Sequence, residues 1–207
     1  MKANSRRRSR SPQKPRQSNR RKTMKTKHPI PEIQKLVLPS DLKGVEPGKL
    51  PAKLLVDIKP SGKLHHLAAD AYTAMRVAAR AEGVKLVPTS AGDTYRDFEM
   101  QKRGFLSRYS TKVQPGQKPR IFEGKEYYLH TGAPMAVPGT SRHNLGLAVD
   151  IANASGKIFE WLCLNAPKFG WSLEVMPQEP WHWFYYVGDK TPQAVLDWKA
   201  SKAADVA

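Results

Sequence analysis

"SRHNLGLAVDIA", residues 141–152, decides how the rest of the chain is read. Leu147, Val149 and Ile151 alternate as the buried face of a strand does, and Asp150 falls between two of them. Its own face is shared with Ala148 and Ala152, small side chains that leave room beside a carboxylate. A buried carboxylate is costly unless something positive meets it: a basic side chain, a backbone cluster or a metal ion. His143, seven residues earlier, would oppose Asp150 on a straight strand. The intervening Asn144-Leu145-Gly146 predicts a turn that swings His143 over the Asp150 face.

A second polar group stands in an apolar run in "WSLEVMPQEPWHWFYYVG", residues 171–188. Pro180 has no N–H and belongs at the start or edge of a strand, which leaves Glu179 in the turn before it. On "WHWFYYV", His182 shares a face with Phe184 and Tyr186. If the two strands are neighbours, His143, Asp150 and His182 converge. Two histidines and a carboxylate with an open fourth position form a catalytic zinc donor set. Glu179, near His182 but not needed as a ligand, is the candidate general base. The plainer alternative is histidine and tryptophan packing in a core without chemistry.

The chain of 207 residues allows one ordinary domain plus a tail, and 40% hydrophobic residues suffice for a core. No apolar run approaches the roughly 18 residues of a membrane span. The basic N-terminus lacks an apolar secretory segment, so export by that route is not expected. The single cysteine, Cys163, excludes an internal disulfide and reads as a buried helical thiol. Of the 35 lysines and arginines, 12 fall within residues 1–27, where there is no acid. That arm is expected to be disordered and to attract polyanions, either anionic wall polymers or nucleic acid. The expected division is an arm and linker over 1–45, a catalytic domain over 46–200 and a short tail over 201–207, in a monomer.

Around the two motifs, "KLLVDI" (53–58) predicts a short strand. "SGKLHHLAADAYTAMRVAARAEG" predicts a helix with Ser61 as N-cap and Gly83 as stop. His65 and His66 would then point about 100° apart and could not chelate one ion together. "VKLVPTS" (84–90) predicts another strand. After it, Tyr95 and Arg96 lie at a loop mouth before a helix capped by Asp97. Residues 111–140, rich in Gly, Pro and Lys, predict a long loop containing a hairpin built from "RIF" and "EYYL".

Together these residues resemble a known family. "SRHNLGLAVD" is similar to the SxHxxGxAxD motif and "EPWHW" to the ExxH motif of the zinc D-alanyl-D-alanine carboxypeptidases. That group includes VanY- and VanX-like peptidases and phage L-alanyl-D-glutamate endolysins. "TYRDFEMQ" resembles the family's upstream YRSxxxQ segment, and the likeness spans about residues 85–187 in family order. The resemblance implies a small α+β fold whose central antiparallel sheet carries zinc on His143, Asp150 and His182, with helices around it. It implies Glu179 as catalytic base and proton shuttle, and Arg96 as the group that holds a substrate carboxylate or the oxyanion. Tyr95, Gln101, Ser141 and Trp181 are the further candidates for substrate contact. The implied reaction is hydrolysis of an amide bond in peptidoglycan stem peptides, by a carboxypeptidase or an endolysin-type endopeptidase that reaches the cell wall from the host cytoplasm on release or from a virion. Asp97, where the family usually has Ser or Thr, and the long basic loop leave substrate choice open. The alternative is a non-catalytic virion, cell-wall or nucleic-acid-binding protein that works through its arm.

Overall fold

The computed structural model describes residues 29–176 and 178–204. The arm over 1–27 lies outside the described residues. The chain is α+β, with four helices and three small antiparallel sheets among the described residues.

β1 (Leu55–Asp57) and β2 (Lys63–His65) form a two-stranded ribbon that runs into α1 (His66–Ala81). The helix therefore begins five residues after Ser61, which corrects the expected N-cap. The reason is that Lys63–His65 satisfies its backbone by pairing with β1, and His65 N donates to Gly146 O at 2.9 Å. From His66 onward the apolar spacing holds: Ala68, Ala71 and Met75 are buried. The helix stops as expected at Gly83, which has a positive φ of 69°.

The expected strand over 84–90 is a correction as well. It runs along β6 (Ala148–Asp150) through a single bridge, Pro88 to Ile151, with flanking bonds from Thr89 N to Asp150 O and Ala152 N to Val87 O. Pro88 has no N–H to extend the ladder. Asp97 caps α2 (Phe98–Leu106) as expected, its Oδ1 accepting from Met100 N at 2.6 Å. The long loop does hold a hairpin: β4 (Arg120–Phe122) and β5 (Lys125–Leu129), with β3 (Tyr109–Ser110) on the far edge of β5. Phe105, Tyr109 and Phe122 pack there into a small separate core, Phe105 stacking on Tyr109 at 4.5 Å.

The central sheet has the order β6-β8-β7, with β7 at Trp171–Leu173 and β8 at His182–Tyr185. One face, carrying Val149, Trp183 and Leu173, closes the main core against α1 and α3 (Gly156–Asn165). Cys163 is buried on α3 as expected, and burial pushes its thiol pKa up to about 11. α4 (Gln193–Ala204) contacts α1 and continues across position 200. No helix among the described residues is long and apolar enough to cross a membrane.

Residues 34–50, which span the expected end of the linker at 45, lie along this domain. Val37 N donates to Tyr186 O at 2.8 Å, Gly48 N to Asn144 O at 2.7 Å, and Leu42 and Leu50 are buried. Asp41 clasps both adjacent histidines, Oδ1 at 3.0 Å from His65 Nε2 and Oδ2 at 2.7 Å from His66 Nε2. The two rings converge because His65, with ψ 139°, precedes the helix instead of belonging to it.

Candidate metal centre

β6 and β8 place Asp150 directly opposite His182. Ile151 N donates to Trp181 O and Tyr185 N to Leu147 O, so the Asp150–His182 pair lies between ladder bonds and not on one. Such pairs bring their Cα atoms to about 4.5 Å and their side chains closest together. Asp150 Oδ1 accordingly lies 2.8 Å from His182 Nδ1.

His143 comes from a short 3-10 turn, Arg142–Leu145, whose first residue is preceded by Ser141 as cap, its Oγ accepting from His143 N at 3.3 Å. Gly146 closes the turn in the left-handed region at φ 65°. A Cβ at this position would meet His65 N at 2.8 Å, so both the conformation and the close approach of β2 require glycine. The turn brings His143 Nε2 to 3.3 Å from Asp150 Oδ1. One ligand atom from each of His143, Asp150 and His182 lies within 4.8 Å of the others.

The outer nitrogens of the two rings are tied down. His143 Nδ1 lies 2.8 Å from Thr94 O, which can only accept, so Nδ1 carries the hydrogen and Nε2 presents a lone pair toward Asp150. His182 Nε2 lies 2.8 Å from Glu174 Oε2. With a hydrogen given to Glu174, His182 Nδ1 also presents a lone pair toward Asp150. Three lone-pair atoms facing one another need positive charge between them. Ligand bonds of about 2.0–2.1 Å in a tetrahedral set put donors roughly 3.4 Å apart, near the separations found here. The donor set therefore fits a divalent cation, with Thr94 and Glu174 orienting its histidines from outside.

Until an ion binds, a ring proton is the positive charge that can stand beside Asp150. Burial alone would raise the Asp150 pKa, but the interactions with His143 and His182 in that state outweigh it and hold the carboxyl well below the usual range. Burial alone would favour neutral His182, yet hydrogen bonds to Asp150 and Glu174 raise its pKa to about 9. Glu174 is likewise lowered, because His182 and Arg142 overcome its desolvation.

The triad opens on a cleft of about 1050 Å³ that Arg96, Ser141, Glu179 and Trp181 also line. Glu179 is half-buried in the turn before Pro180, and its carboxylate has no hydrogen-bond or ion-pair partner among the described residues. Arg96 is buried and anchored three ways: Nε to Gly92 O at 2.9 Å, Nη1 to Gln101 Oε1 at 2.9 Å and Nη2 to Asp93 Oδ1 at 3.1 Å. Three of its five N–H donors are engaged, and two remain for a ligand. Burial lowers its pKa, with nearby Arg108 adding to the effect against the pull of Asp93. Trp181 is exposed at the rim.

Two of the expected substrate contacts are engaged with the protein itself. Gln101 has no exposed surface; it lies under Arg96 and also donates from Nε2 to Ala136 O at 2.7 Å, so it positions the arginine. Tyr95 points away from the cleft, its hydroxyl accepting from Leu50 N at 3.1 Å beside a separate recess. Tyr95 and Arg96 are consecutive, and the chain sends their side chains to different partners, Leu50 N and Gly92 O.

Two residues escaped the sequence reading. Glu174, at the end of β7, sits in "WSLEV" with nothing local to mark it, and pairs with Arg142 at 2.8 Å as well as with His182. Asn144 is fully buried, donates from Nδ2 to Arg96 O at 2.7 Å and accepts from Gly139 N at 3.2 Å. A polar residue inside the turn "RHNLG" was the only available signal for it.

The family model described as "VanY: D-alanyl-D-alanine carboxypeptidase" matches residues 61–189. A D-alanyl-D-alanine carboxypeptidase of Enterococcus faecalis is 33% identical over 126 residues, which is 54% of this chain and 43% of that protein. The chain thus spans less than half the length of that curated relative. Among solved structures, VanYB in complex with D-alanine-D-alanine is 24% identical, covering 74% of this chain and 87% of that one at a TM-score of 0.47. A VanY D,D-pentapeptidase from a VanB-type resistance cassette, in complex with Zn(II), is also 24% identical, covering 67% and 83% at a TM-score of 0.46.

Proposed function

Because this chain belongs to the VanY D-alanyl-D-alanine carboxypeptidase family, we propose that it is a zinc peptidase that removes the terminal residue from D-alanyl-D-alanine-ended peptidoglycan stem peptides. The observation that carries this reading is the pairing of the donor set with Glu179, an acid without a side-chain partner in the same cleft. A metal kept only for stability has no use for such a group.

His143 Nε2, Asp150 and His182 Nδ1 would hold the ion. Zinc bound there supplies a Lewis acid that polarises the scissile carbonyl and lowers the pKa of water toward about 7. Glu179 accepts the proton of the attacking water and delivers it to the leaving amine. Arg96, fixed by Gly92, Gln101 and Asp93, offers its two remaining donors to the terminal carboxylate or to the developing oxyanion. Trp181 walls the cleft rim. His143, through Nδ1 and Thr94, and His182, through Nε2 and Glu174, keep their lone pairs aimed inward throughout.

Mass spectrometry of pentapeptide stems digested with zinc-loaded protein tests this directly. Loss of one alanine is the expected result, absent in His182→Ala. An internal cut would move the reading to an endolysin-type endopeptidase, and intact peptide would overturn it.

A further inference from the structure

The cleft that holds the metal triad is larger than its proposed chemistry requires. At about 1050 Å³ it stands at the upper end of the roughly 300–1,000 Å³ typical for small-molecule sites, whereas a terminal dipeptide is a small ligand. One wall comes from the central sheet, and the other includes residues 133–136 and the β3-β5-β4 sheet of the basic insertion.

Four arginines and four carboxylates line this cleft, and the two sets are not fully paired with each other. Arg96 pairs with Asp93, Arg142 pairs with Glu174, and Asp150 lies between two histidines. Arg108 and Arg120 also line the cleft, and neither has a carboxylate within ion-pair distance among the described residues. Both are built in, not loose on the surface. Arg108 leaves α2 and is gripped by the insertion: its Nη1 donates to Ala133 O at 3.1 Å, and its carbonyl accepts from His130 N at 2.8 Å. Arg120 stands on β4 with its guanidinium 5.6 Å from the centre of the Tyr109 ring. Two half-buried guanidinium groups that line the cleft with no carboxylate within ion-pair distance of either are matched to a planar anion held through paired hydrogen bonds.

We infer that Arg108 and Arg120 form a second anion subsite, which takes a free carboxylate on the acyl side of the scissile bond and so selects acidic peptides. This deepens the peptidase reading and rests on it. Arg96 serves the carboxylate or oxyanion at the reacting end, and the arginines of the insertion serve one farther along the peptide.

The test uses two peptides of equal length that end in D-alanyl-D-alanine, one with a free acyl-side glutamate carboxylate and one with that carboxylate amidated. The acidic peptide should be preferred by roughly 10- to 100-fold in kcat/KM, the range of a charge-assisted hydrogen bond, mainly through KM. In Arg108→Gln, Arg120→Gln and the double variant the ratio should fall toward one, and raising the salt concentration should compress it in the wild type. Arg108→Gln keeps a donor for Ala133 O, and circular dichroism checks that each variant is folded. Equal turnover of the two peptides by the wild type, or an unchanged ratio in the folded double variant, overturns the subsite. If neither peptide is cleaved, the peptidase reading fails. Calorimetric binding of both peptides to Glu179→Gln then reads the subsite alone, where equal affinity or no binding overturns it.

Discussion

Asp150 and His182 face each other across adjacent antiparallel strands, and the carboxylate oxygen lies 2.8 Å from Nδ1 of the ring. That one register makes the site. A slip of a single residue would turn His182 into the core and bring Trp183 to the cleft, because successive strand side chains alternate faces. The opposite face of the same strands, with Val149 and Trp183 fully buried, is what makes such a slip costly.

Glu174 should matter to metal affinity more than its absence from any motif suggests. It lies 2.8 Å from His182 Nε2 and fixes which nitrogen faces Asp150. Glu174→Ala should weaken zinc binding about 10- to 100-fold, as read by competition with a chromophoric chelator. Unchanged affinity would show that the contact does not orient the ring.

Arg96→Lys should keep zinc and lose turnover. An ammonium cannot make the three anchoring bonds and still offer a planar pair of donors. Loss of such a donor typically costs about 10²–10³-fold in kcat. Zinc content and peptide cleavage measured on one preparation check this, and near wild-type turnover would remove Arg96 from the reaction.

Gly146→Ala should destabilise the fold. A left-handed non-glycine residue costs about 1–3 kcal/mol, and the new Cβ would also press on His65 N at 2.8 Å. For a chain of this size each kcal/mol lowers Tm by roughly 2–4 °C. An unchanged Tm would mean that the turn and β2 shift apart freely.

Stability should fall on mild acidification through the Asp41 clasp. Burial pushes the His65 pKa down despite the opposing pull of Asp41. The unfolded chain therefore binds the extra proton first, and the contribution of neutral His65 is present above about pH 6.5 and lost as pH falls below it. Asp41 acts in the same direction lower down. Burial raises its pKa, but His66 and His65 outweigh that and lower it, so its contribution is lost as pH falls from about 3.9. The urea midpoint should drop between pH 7.5 and 5.5 in the wild type and drop less in His65→Gln. Equal slopes would contradict the assignment.

The strand pair was legible because alternation and two misplaced polar residues, Asp150 and His182, are local signals. Asp97 as a cap and Gly83 as a stop were legible for the same reason. Ser61 misled because the contact that ends the helix at His66 comes from β1, a partner that the local pattern does not reveal. The orientation of Tyr95, the place of Gln101 beneath Arg96 and the reach of Glu174 to His182 all depend on tertiary packing between segments distant in sequence.

The most direct measurement is made on Glu179→Gln, which keeps size and hydrogen-bonding shape but removes the proton acceptor. Zinc content and stem-peptide cleavage are measured on the same preparation. The account predicts about one zinc per chain, held by the donors of His143, Asp150 and His182, and turnover lowered by roughly 10²–10⁴-fold or more, since one group serves both proton transfers. Cleavage near the wild-type rate would reduce Glu179 to a surface acid before a proline and contradict the mechanism. Loss of zinc together with activity would make Glu179 a ligand and contradict the assigned donor set.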